Sequence, residues 1–444
     1  MEKLKRVAWA IVKSPYLPLV IFAIIVAALH ISMPNNFADD AWFYRILEGR
    51  EDTLDAWKEF LAWRYNTWSS RTAIEGLLIV LVRKPLLWKI LDTVSIIYVV
   101  FTISDLINFE RSRTKNIIIA LVALIFPEVL YEVGYVATSL NYIIPFAAAL
   151  CAISVMYKRF SLRDVSKFEY VIALLLLLFA CFSEILSATV LLIALGSGAW
   201  YVAKNKRVPA FEVACLVISI AFLIFHLTCV GNDVRYVQES ATWLPEHPSL
   251  NLFEKVELGF SSMMQTLFLA KNYFVGVFCL GIALALTLKS RKAHHLIFAW
   301  IPFVFSTIFS TLYSIFIKIR PLAALKNHML AACGHPSITF NAVITDIVFI
   351  FILFCILFTL RVIIKDTRDY IAVFFILGVG AASRMSLGLS PTVWSSGGRA
   401  TTFLYVALGV VTVIAINYVF TDVVKIVKDR YLSKKSEGAQ NTAQ

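Results

Sequence analysis

The sequence predicts an all-α polytopic membrane protein with about twelve transmembrane helices, because it is too apolar and too weakly charged for a soluble protein. Of its 444 residues, 59% are hydrophobic and 16% are charged, whereas soluble domains are nearer about 45–50% apolar and about 25% charged. The mean hydropathy is +0.78. Aromatic residues make up 14% of the chain, which is typical of lipid-facing helices with interfacial belts. A soluble enzyme, a disordered chain and a secreted disulfide scaffold are therefore excluded.

The N-terminal segment predicts a retained signal-anchor helix. Lys3, Lys5 and Arg6 precede an apolar run over 15–33, which is long enough to cross a membrane and is followed by no small-residue cleavage site. Further apolar runs predict the other crossings: 87–109, 116–131, 140–157, 168–184, 186–203, 209–230, 272–288, 296–317, 343–360, 370–383 and 400–420. With twelve crossings, both termini are expected in the cytoplasm.

The apolar segment 72–82 is expected to lie in the outer interface as an amphipathic helix, because a span needs about 20 residues. The positive-inside rule supports this topology. The segments that it assigns to the cytoplasm carry a large excess of Lys and Arg, and the outer segments carry slightly more acidic than basic residues. The formal net charge of +12 is therefore a topology signal, and no nucleic-acid partner is predicted.

The helices are expected to form a single integral membrane domain over 1–432, with the first outer loop at 34–86 and a disordered cytoplasmic tail at 433–444. No CxxC, GxGxxG, P-loop, HExxH or GxSxG motif appears. No ligand spacing indicates a divalent cation, so no metal site is predicted and the cofactor stays open. The cytoplasmic loops are short and basic, whereas the polar residues of unusual type gather in the outer loops.

The first outer loop begins with two adjacent carboxylates, Asp39 and Asp40. Adjacent carboxylates tend to split their pKa values and apolar neighbours raise at least one, which suits a general base. The alternative is that they cap a helix beginning at Ala41. The same loop contains tryptophans that are either interfacial anchors or platforms for sugar rings: Trp42, Trp57, Trp63 and Trp68.

The next outer segments add polar residues at membrane depth. Glu132, Asn141 and Tyr142 lie where an interrupted helix leaves backbone groups free, which is tolerated only against protein or a water-filled cavity. They are candidates to line such a cavity or are satisfied turn residues. Glu184 interrupts a long apolar stretch at the tip of a predicted hairpin, where a carboxylate is costly and indicates function. A helix-start cap is its alternative.

Two further outer segments carry arginines. In the segment CVGNDVRY, a turn at Gly231 and Asn232 is expected to precede Arg235. Arg384 and Arg399 flank a Ser/Gly/Pro loop containing Ser390, whose backbone N–H groups can form an anion-binding nest. Each arginine is either an interfacial anchor or a bidentate ligand of phosphate.

These strings resemble a known class of enzymes. An outer loop that opens with Asp-Asp after the first helix resembles the GT-C class of polytopic, lipid-linked-sugar glycosyltransferases. The strings FADDAWFYRI, NTWSSR, TSLNYIIPF, FSEI, VGNDVR and SPTVWSSGGR more closely resemble a bacterial membrane family, known as a domain of unknown function or as glucosyltransferases of surface-glycan modification. The resemblance covers about 30–405.

The resemblance implies an inverting transferase that moves a sugar from a polyprenyl-phosphate or polyprenyl-diphosphate donor to a surface-glycan acceptor at the outer face of a bacterial membrane. It implies that Asp39 or Asp40 is the base. The donor phosphate would bind Arg384, Arg399 and Arg235, with Arg71 as a further candidate. Glu184 and Asn141 would orient sugar hydroxyls.

Two other functions remain open at this stage. A surface-polysaccharide polymerase or ligase also uses lipid diphosphates, but it concentrates its chemistry in one large outer loop. A lipid-linked glycan transporter would carry charges or broken helices near the membrane midplane, often in repeated halves. The one-sided clustering of polar residues favours the transferase.

Overall fold

The computed structural model describes residues 12–35, 39–46, 54–108, 110–125, 135–334 and 338–420. Within these ranges the chain is helical and contains no β-strand, as the composition predicts. A bilayer offers no water to backbone N–H and C=O groups, so an apolar spanning segment must satisfy them within a helix.

The chain divides into two compact units. The first contains Met1–Gly259 and Val379–Leu404, and the second contains Phe260–Gly378 and Tyr405–Gln444. The predicted single membrane domain over 1–432 stays a prediction, since two compact units can share one bilayer.

The described helices are numbered in chain order. Those of the first unit are α1 (Leu17–Ser32), α2 (Asp39–Ile46), α3 (Leu54–Thr67), α4 (Thr72–Leu81), α5 (Pro85–Ile107), α6 (Arg113–Leu124), α7 (Tyr135–Phe160), α8 (Lys167–Ala180), α9 (Glu184–Ala203), α10 (Ala210–Leu227) and α11 (Val230–Trp243). The unit boundaries fall within α12 (Leu252–Leu269), α18 (Thr367–Leu389) and α19 (Gly398–Phe420). Those of the second unit are α13 (Tyr273–Lys289), α14 (Ala293–Thr311), α15 (Tyr313–Phe316), α16 (Arg320–Cys333) and α17 (Phe340–Ile363).

Eight helices in the described part of the chain are long and apolar enough to cross a membrane: α5, α7, α9, α10, α14, α17, α18 and α19. The pair α12 and α13 also qualifies but is bent by 78°, so the count rises to nine if the pair is one broken span. Each of the eight corresponds to a predicted crossing. The predicted crossings 15–33, 168–184 and 272–288 correspond to the shorter helices α1, α8 and α13, of 16, 14 and 17 residues. The crossing 116–131 corresponds to α6, of 12 residues, and its residues 126–131 lie outside the described ranges.

Local sequence explains where several helices begin. At α8, the Ser166 hydroxyl accepts the Glu169 backbone N–H while the Glu169 carboxylate accepts the Ser166 N–H, a capping box. The side chains of Asn272 and Thr339 accept backbone N–H groups at the starts of α13 and α17. These caps satisfy donors that have no partner within the helix.

The core of the first unit that positions the site lies around α4. This ten-residue helix is as short as predicted, but its apolar side chains face protein: Ile74 and Leu78 pack with Phe60 and Trp88 in one buried cluster. Burying one such side chain contributes about 1.5–3 kcal/mol. The packing fixes α4 and therefore also Arg71, its N-cap residue.

Candidate functional site

The first unit contains a cavity of about 1210 Å³. Its walls come from α2 to α4, the first turns of α7 and α9, α11 and the segment 386–399. Nine of the residues predicted from the sequence line it: Asp39, Arg71, Asn141, Tyr142, Glu184, Asn232, Arg235, Ser390 and Arg399. The polar residues of separate predicted outer loops therefore surround one space.

The adjacent carboxylates Asp39 and Asp40 have different surroundings. The Asp39 side chain lines the cavity, is 46% exposed, and accepts a hydrogen bond of 3.1 Å from Nη1 of Arg399. Asp40 is 1% exposed and accepts hydrogen bonds from the backbone N–H groups of Val136 and Ala137, at 2.8 and 2.9 Å. Of the two, Asp39 is the one that can meet a substrate in this cavity.

The capping alternative for these residues needs correction. Asp39 and Asp40 are both already helical, so they do not precede a helix that starts at Ala41, and Asp40 accepts backbone N–H groups of α7 instead. Burial raises the pKa of Asp40 to about 6, although the hydrogen bonds from Val136 and Ala137 oppose the rise and the charge of Asp39 adds to it.

Glu184 is ion-paired rather than isolated. Nε of Arg71 donates to Oε2 of Glu184 at 2.7 Å, and Nη1 of Arg71 donates to Oδ1 of Asn141 at 2.7 Å. Asn141 in turn donates to the carbonyl of Ala137 at 2.7 Å. The guanidinium therefore ties the starts of α4, α7 and α9 together and fixes three of the predicted polar residues in one wall.

A second network lies behind that wall. The hydroxyl of Ser70 lies 2.7 Å from Nδ1 of His226, whose Nε2 lies 2.9 Å from the carbonyl of Cys181. Since a carbonyl can only accept, Nε2 carries a hydrogen, and in the neutral ring Nδ1 is then the acceptor for the Ser70 hydroxyl. Asn232 donates to Oγ of Ser70 at 3.0 Å and to the His226 carbonyl at 2.8 Å.

The predicted turn at Gly231 and Asn232 is wrong, because both residues lie in the first turn of α11. Glycine is needed there for close packing. A Cβ atom at Gly231 would lie 2.5 Å from the carbonyl oxygen of Tyr65 and 2.6 Å from the backbone nitrogen of Trp68. Helix α11 can approach the end of α3 only without that atom.

Of the two arginines predicted to flank the Ser/Gly/Pro loop, one lines the cavity. Arg399 lines the cavity and also donates to the carbonyl of Ser396 at 3.3 Å. Gly397, with φ of 62°, supplies the left-handed backbone before it. Arg384 does not line the cavity: it is 2% exposed and its Nε donates to the hydroxyl of Thr401 at 3.2 Å.

Sequence reasoning missed a buried pair in the same wall. Nε and Nη2 of Arg64 donate to the two carboxylate oxygens of Glu75, at 2.5 and 2.9 Å. The Arg64 guanidinium lies 5.5 to 5.8 Å from the ring centroids of Trp42, Phe43, Trp63 and Trp68. The signal was present, since Glu75 is the one carboxylate within the apolar run 72–82 and a buried carboxylate needs a partner.

The cations of the cavity are not equivalent. Four arginines line it, and three of them pair with carboxylates: Arg64 with Glu75, Arg71 with Glu184 and Arg399 with Asp39. The fourth, Arg235, makes no hydrogen bond or salt bridge with any residue that the structure describes, although the carboxylates of Glu184 and Glu239, which also line the cavity, interact with it electrostatically. Burial and the charge of Arg71 lower the pKa of Arg235, although an arginine stays protonated at neutral pH. Arg235 is therefore the cation available to an anionic ligand.

One predicted site residue cannot be placed in the structure. Glu132 lies outside the described residues. Across the described ranges, no group of three or more His, Cys, Asp or Glu side chains is arranged to hold a metal ion.

No protein-family model, curated protein or solved structure matches this chain.

Proposed function

We propose that this protein is an inverting membrane glycosyltransferase of the GT-C type, which moves a sugar from a polyprenyl-phosphate or polyprenyl-diphosphate donor to a surface-glycan acceptor. The observation that carries the proposal is the cavity, in which the unpaired guanidinium of Arg235, the exposed carboxylate of Asp39 and several aromatic side chains line one space. A phosphate binder, a base and sugar platforms are the three parts that such a transfer needs.

The donor phosphate is assigned to Arg235 first. A planar guanidinium binds phosphate oxygens bidentately, and Arg235 makes no direct salt bridge with a described residue, although the charges of Glu184 and Glu239 act on it. When the bond between the anomeric carbon and the phosphate oxygen breaks, negative charge grows on that oxygen, and a nearby guanidinium stabilises it. Arg384, which the sequence placed in this role, is buried outside the cavity and is not assigned to it.

Asp39 is assigned as the base. The acceptor hydroxyl loses its proton to the Asp39 carboxylate as its oxygen bonds to the anomeric carbon. The electron pair of the breaking bond leaves with the phosphate of the donor. The hydrogen bond from Arg399 holds the Asp39 carboxylate in the cavity wall.

The sugar is assigned to the aromatic wall. Trp42, Trp63 and Trp68 line the cavity, and their rings offer apolar faces to sugar C–H groups. Glu184 and Asn141 are already held by Arg71, so they would present fixed acceptors to sugar hydroxyls rather than move to meet them.

The finer topology belongs to the same proposal. We place both termini in the cytoplasm of a bacterium, with about twelve crossings and the cavity on the outer face. Among the supports are the basic excess of the predicted cytoplasmic loops and the apolar character of the shorter helices α1 and α13.

The test uses a strain in which the gene is deleted and replaced by one variant at a time. The surface glycans of these strains are compared by intact-glycan mass spectrometry. Asp39→Asn should lower glycan modification by about 10²–10⁴-fold, the usual worth of a general base. Asp55→Asn is the matched control, because Asp55 is exposed, pairs with Lys58 and does not line the cavity. Normal modification by Asp39→Asn, or an unchanged glycan in the deletion strain itself, would refute the proposal.

Transport of a lipid-linked glycan is a second candidate, favoured by one observation. The bend of 78° between α12 and α13 is a broken helix of the kind that forms binding sites in transporters. A transporter would move fluorescent lipid-linked sugar across proteoliposome membranes without releasing polyprenyl phosphate, whereas a transferase with acceptor would release it.

A further inference from the structure

A second cavity, of about 670 Å³, lies in the first unit. It is lined by the second halves of α5 and α7, by the loops that follow these helices, by Tyr16 and by Glu169 of α8. No residue lines both cavities. The second cavity therefore takes no part in the proposed transfer.

Its charges leave one guanidinium unpaired. Nη2 of Arg163 donates to both carboxylate oxygens of Asp105, at 3.0 and 2.9 Å, and Nζ of Lys158 donates to Glu169 at 2.6 Å. Arg111 also lines the cavity, and its guanidinium makes no hydrogen bond or salt bridge within the described ranges. The five charged groups that line the cavity therefore sum to one positive charge.

The backbone of Arg111 is held in an uncommon conformation. Its φ is 49°, in the left-handed region that costs energy for a residue with a side chain. A buried polar network fixes the loop around it. Asn108 donates to the Ser112 carbonyl at 2.9 Å and to Oδ1 of Asn116 at 2.9 Å, and it accepts the Ser112 N–H at 2.9 Å. Such strained positions persist where the surroundings over-determine them, and they cluster at ligand sites.

Two exposed apolar residues lie in the loop after α7 and at the start of α8. Leu162 is 85% exposed and Phe168 is 73% exposed, one residue before and five residues after Arg163 in the sequence. In a chain whose helices are apolar enough to cross a membrane, exposed apolar side chains next to basic residues are typical of a lipid interface. The ligand that reaches this cavity is then one present at the level of lipid headgroups.

We propose that this cavity binds the phosphodiester of an anionic phospholipid headgroup, with the guanidinium of Arg111 as its direct ligand. The headgroup phosphodiester carries one negative charge, which matches the one uncompensated positive charge of the cavity. Basic pockets between transmembrane helices bind acidic headgroups in this way. Lys158 and Arg163 stay paired with their carboxylates and add hydrogen-bond donors at the edge of the site.

The test measures binding of phosphatidylglycerol to the purified full-length protein by native mass spectrometry, with phosphatidylcholine of the same acyl chains as the reference lipid. Arg111→Asn removes the guanidinium but keeps the fold, because asparagine tolerates a positive φ. The affinity for phosphatidylglycerol should fall by about tenfold, because one charge-assisted hydrogen bond is lost. The affinity for phosphatidylcholine should not change.

Lys115→Gln is the matched control, since Lys115 lies in the same basic segment, pairs with Glu110 and does not line the cavity. Its phosphatidylglycerol affinity should equal that of the unmodified protein. An equal loss in both variants would mean non-specific charge attraction and would overturn the proposal. Displacement of the lipid by millimolar inorganic phosphate or glycerol phosphate would also overturn it, because the site would then bind soluble anions.

Discussion

The two cavities of the first unit differ in how their ion pairs are assembled. In the larger cavity, Arg399 pairs with Asp39 from 360 residues away, and Arg71 pairs with Glu184 from 113 residues away. In the smaller cavity, Arg163 pairs with Asp105 across 58 residues and Lys158 with Glu169 across 11. The larger cavity therefore depends on the tertiary fold, whereas the smaller one is built mainly from neighbouring helices.

Burial also differs between the most buried ion pair of each cavity. The side chains of Arg64 and Glu75 in the larger cavity are 7% and 8% exposed, whereas that of Glu169 in the smaller cavity is 37% exposed. When a buried charge loses its partner, its desolvation free energy is no longer compensated, whereas an exposed charge is solvated by water. The same substitution should therefore have unequal effects at the two cavities.

The largest effect is expected for Glu75→Gln. It leaves the Arg64 guanidinium buried without a charged partner, which costs about 3–5 kcal/mol when one member of a buried pair is removed. The free energy of unfolding in mixed micelles should fall by that amount.

Glu169→Gln is the matched change at the smaller cavity. Glutamine keeps the capping box at the start of α8, and loss of a partly exposed pair costs about 1 kcal/mol or less. Equal losses of stability in Glu75→Gln and Glu169→Gln would show that burial does not distinguish the two cavities.

The next largest effect is expected for Arg235→Gln. Removal of a charge-assisted bond of about 1.5–3 kcal/mol should weaken binding of a polyprenyl-phosphate sugar by about 10–100-fold. Binding of phosphatidylglycerol should not change, because Arg235 does not line the smaller cavity. Arg111→Asn should give the opposite pattern. A variant that weakens binding of both ligands would show that the two cavities act as one functional site.

Gly231→Ala should damage the larger cavity by overpacking. Its Cβ would lie 2.5 Å from a backbone oxygen that cannot rotate away, and such overpacking costs about 1–3 kcal/mol. Gly378→Ala is the control, because nothing lies within 4 Å of its Cβ position. The thermal midpoint should drop only for Gly231→Ala, and an equal response of both variants would refute the close-packing role.

The sequence predicted the residue types of the larger cavity better than their partners. Hydropathy and charge bias predict that the polar residues of several loops lie on one side of the membrane, and the structure places nine of them around one cavity. Which arginine meets which carboxylate depends on helix packing across up to 360 residues, which no local pattern encodes. For the same reason Arg384 and Asp40 were indistinguishable from Arg399 and Asp39 by sequence alone.

Helix type was also easier to predict than span count. Long apolar runs such as 343–360 match spanning helices directly. Shorter ones such as α8 have the composition of a span but not its length, because a capping box at Ser166 starts the helix and a turn over 181–183 ends it. Gly231 was misread because one residue type serves both turns and close helix contacts.

The smallest expected effect concerns pH and Asp40, which holds the start of α7 behind the larger cavity. The pKa of Asp40 is raised to about 6, above its value of about 3.9 in an unfolded chain. Between these two values the folded protein binds more protons than the unfolded one, so the stability from this group is present at low pH and is lost as the pH rises through 6. The loss of stability between pH 5 and pH 7 should be about 1 kcal/mol.

The Asp40→Asn variant cannot titrate at this position, so it should lack this part of the pH dependence, although loss of one hydrogen bond lowers its stability at every pH. Unfolding free energies measured at pH 5 and pH 7 for both proteins give the comparison, and an identical pH slope in the two would show that Asp40 does not titrate in this range.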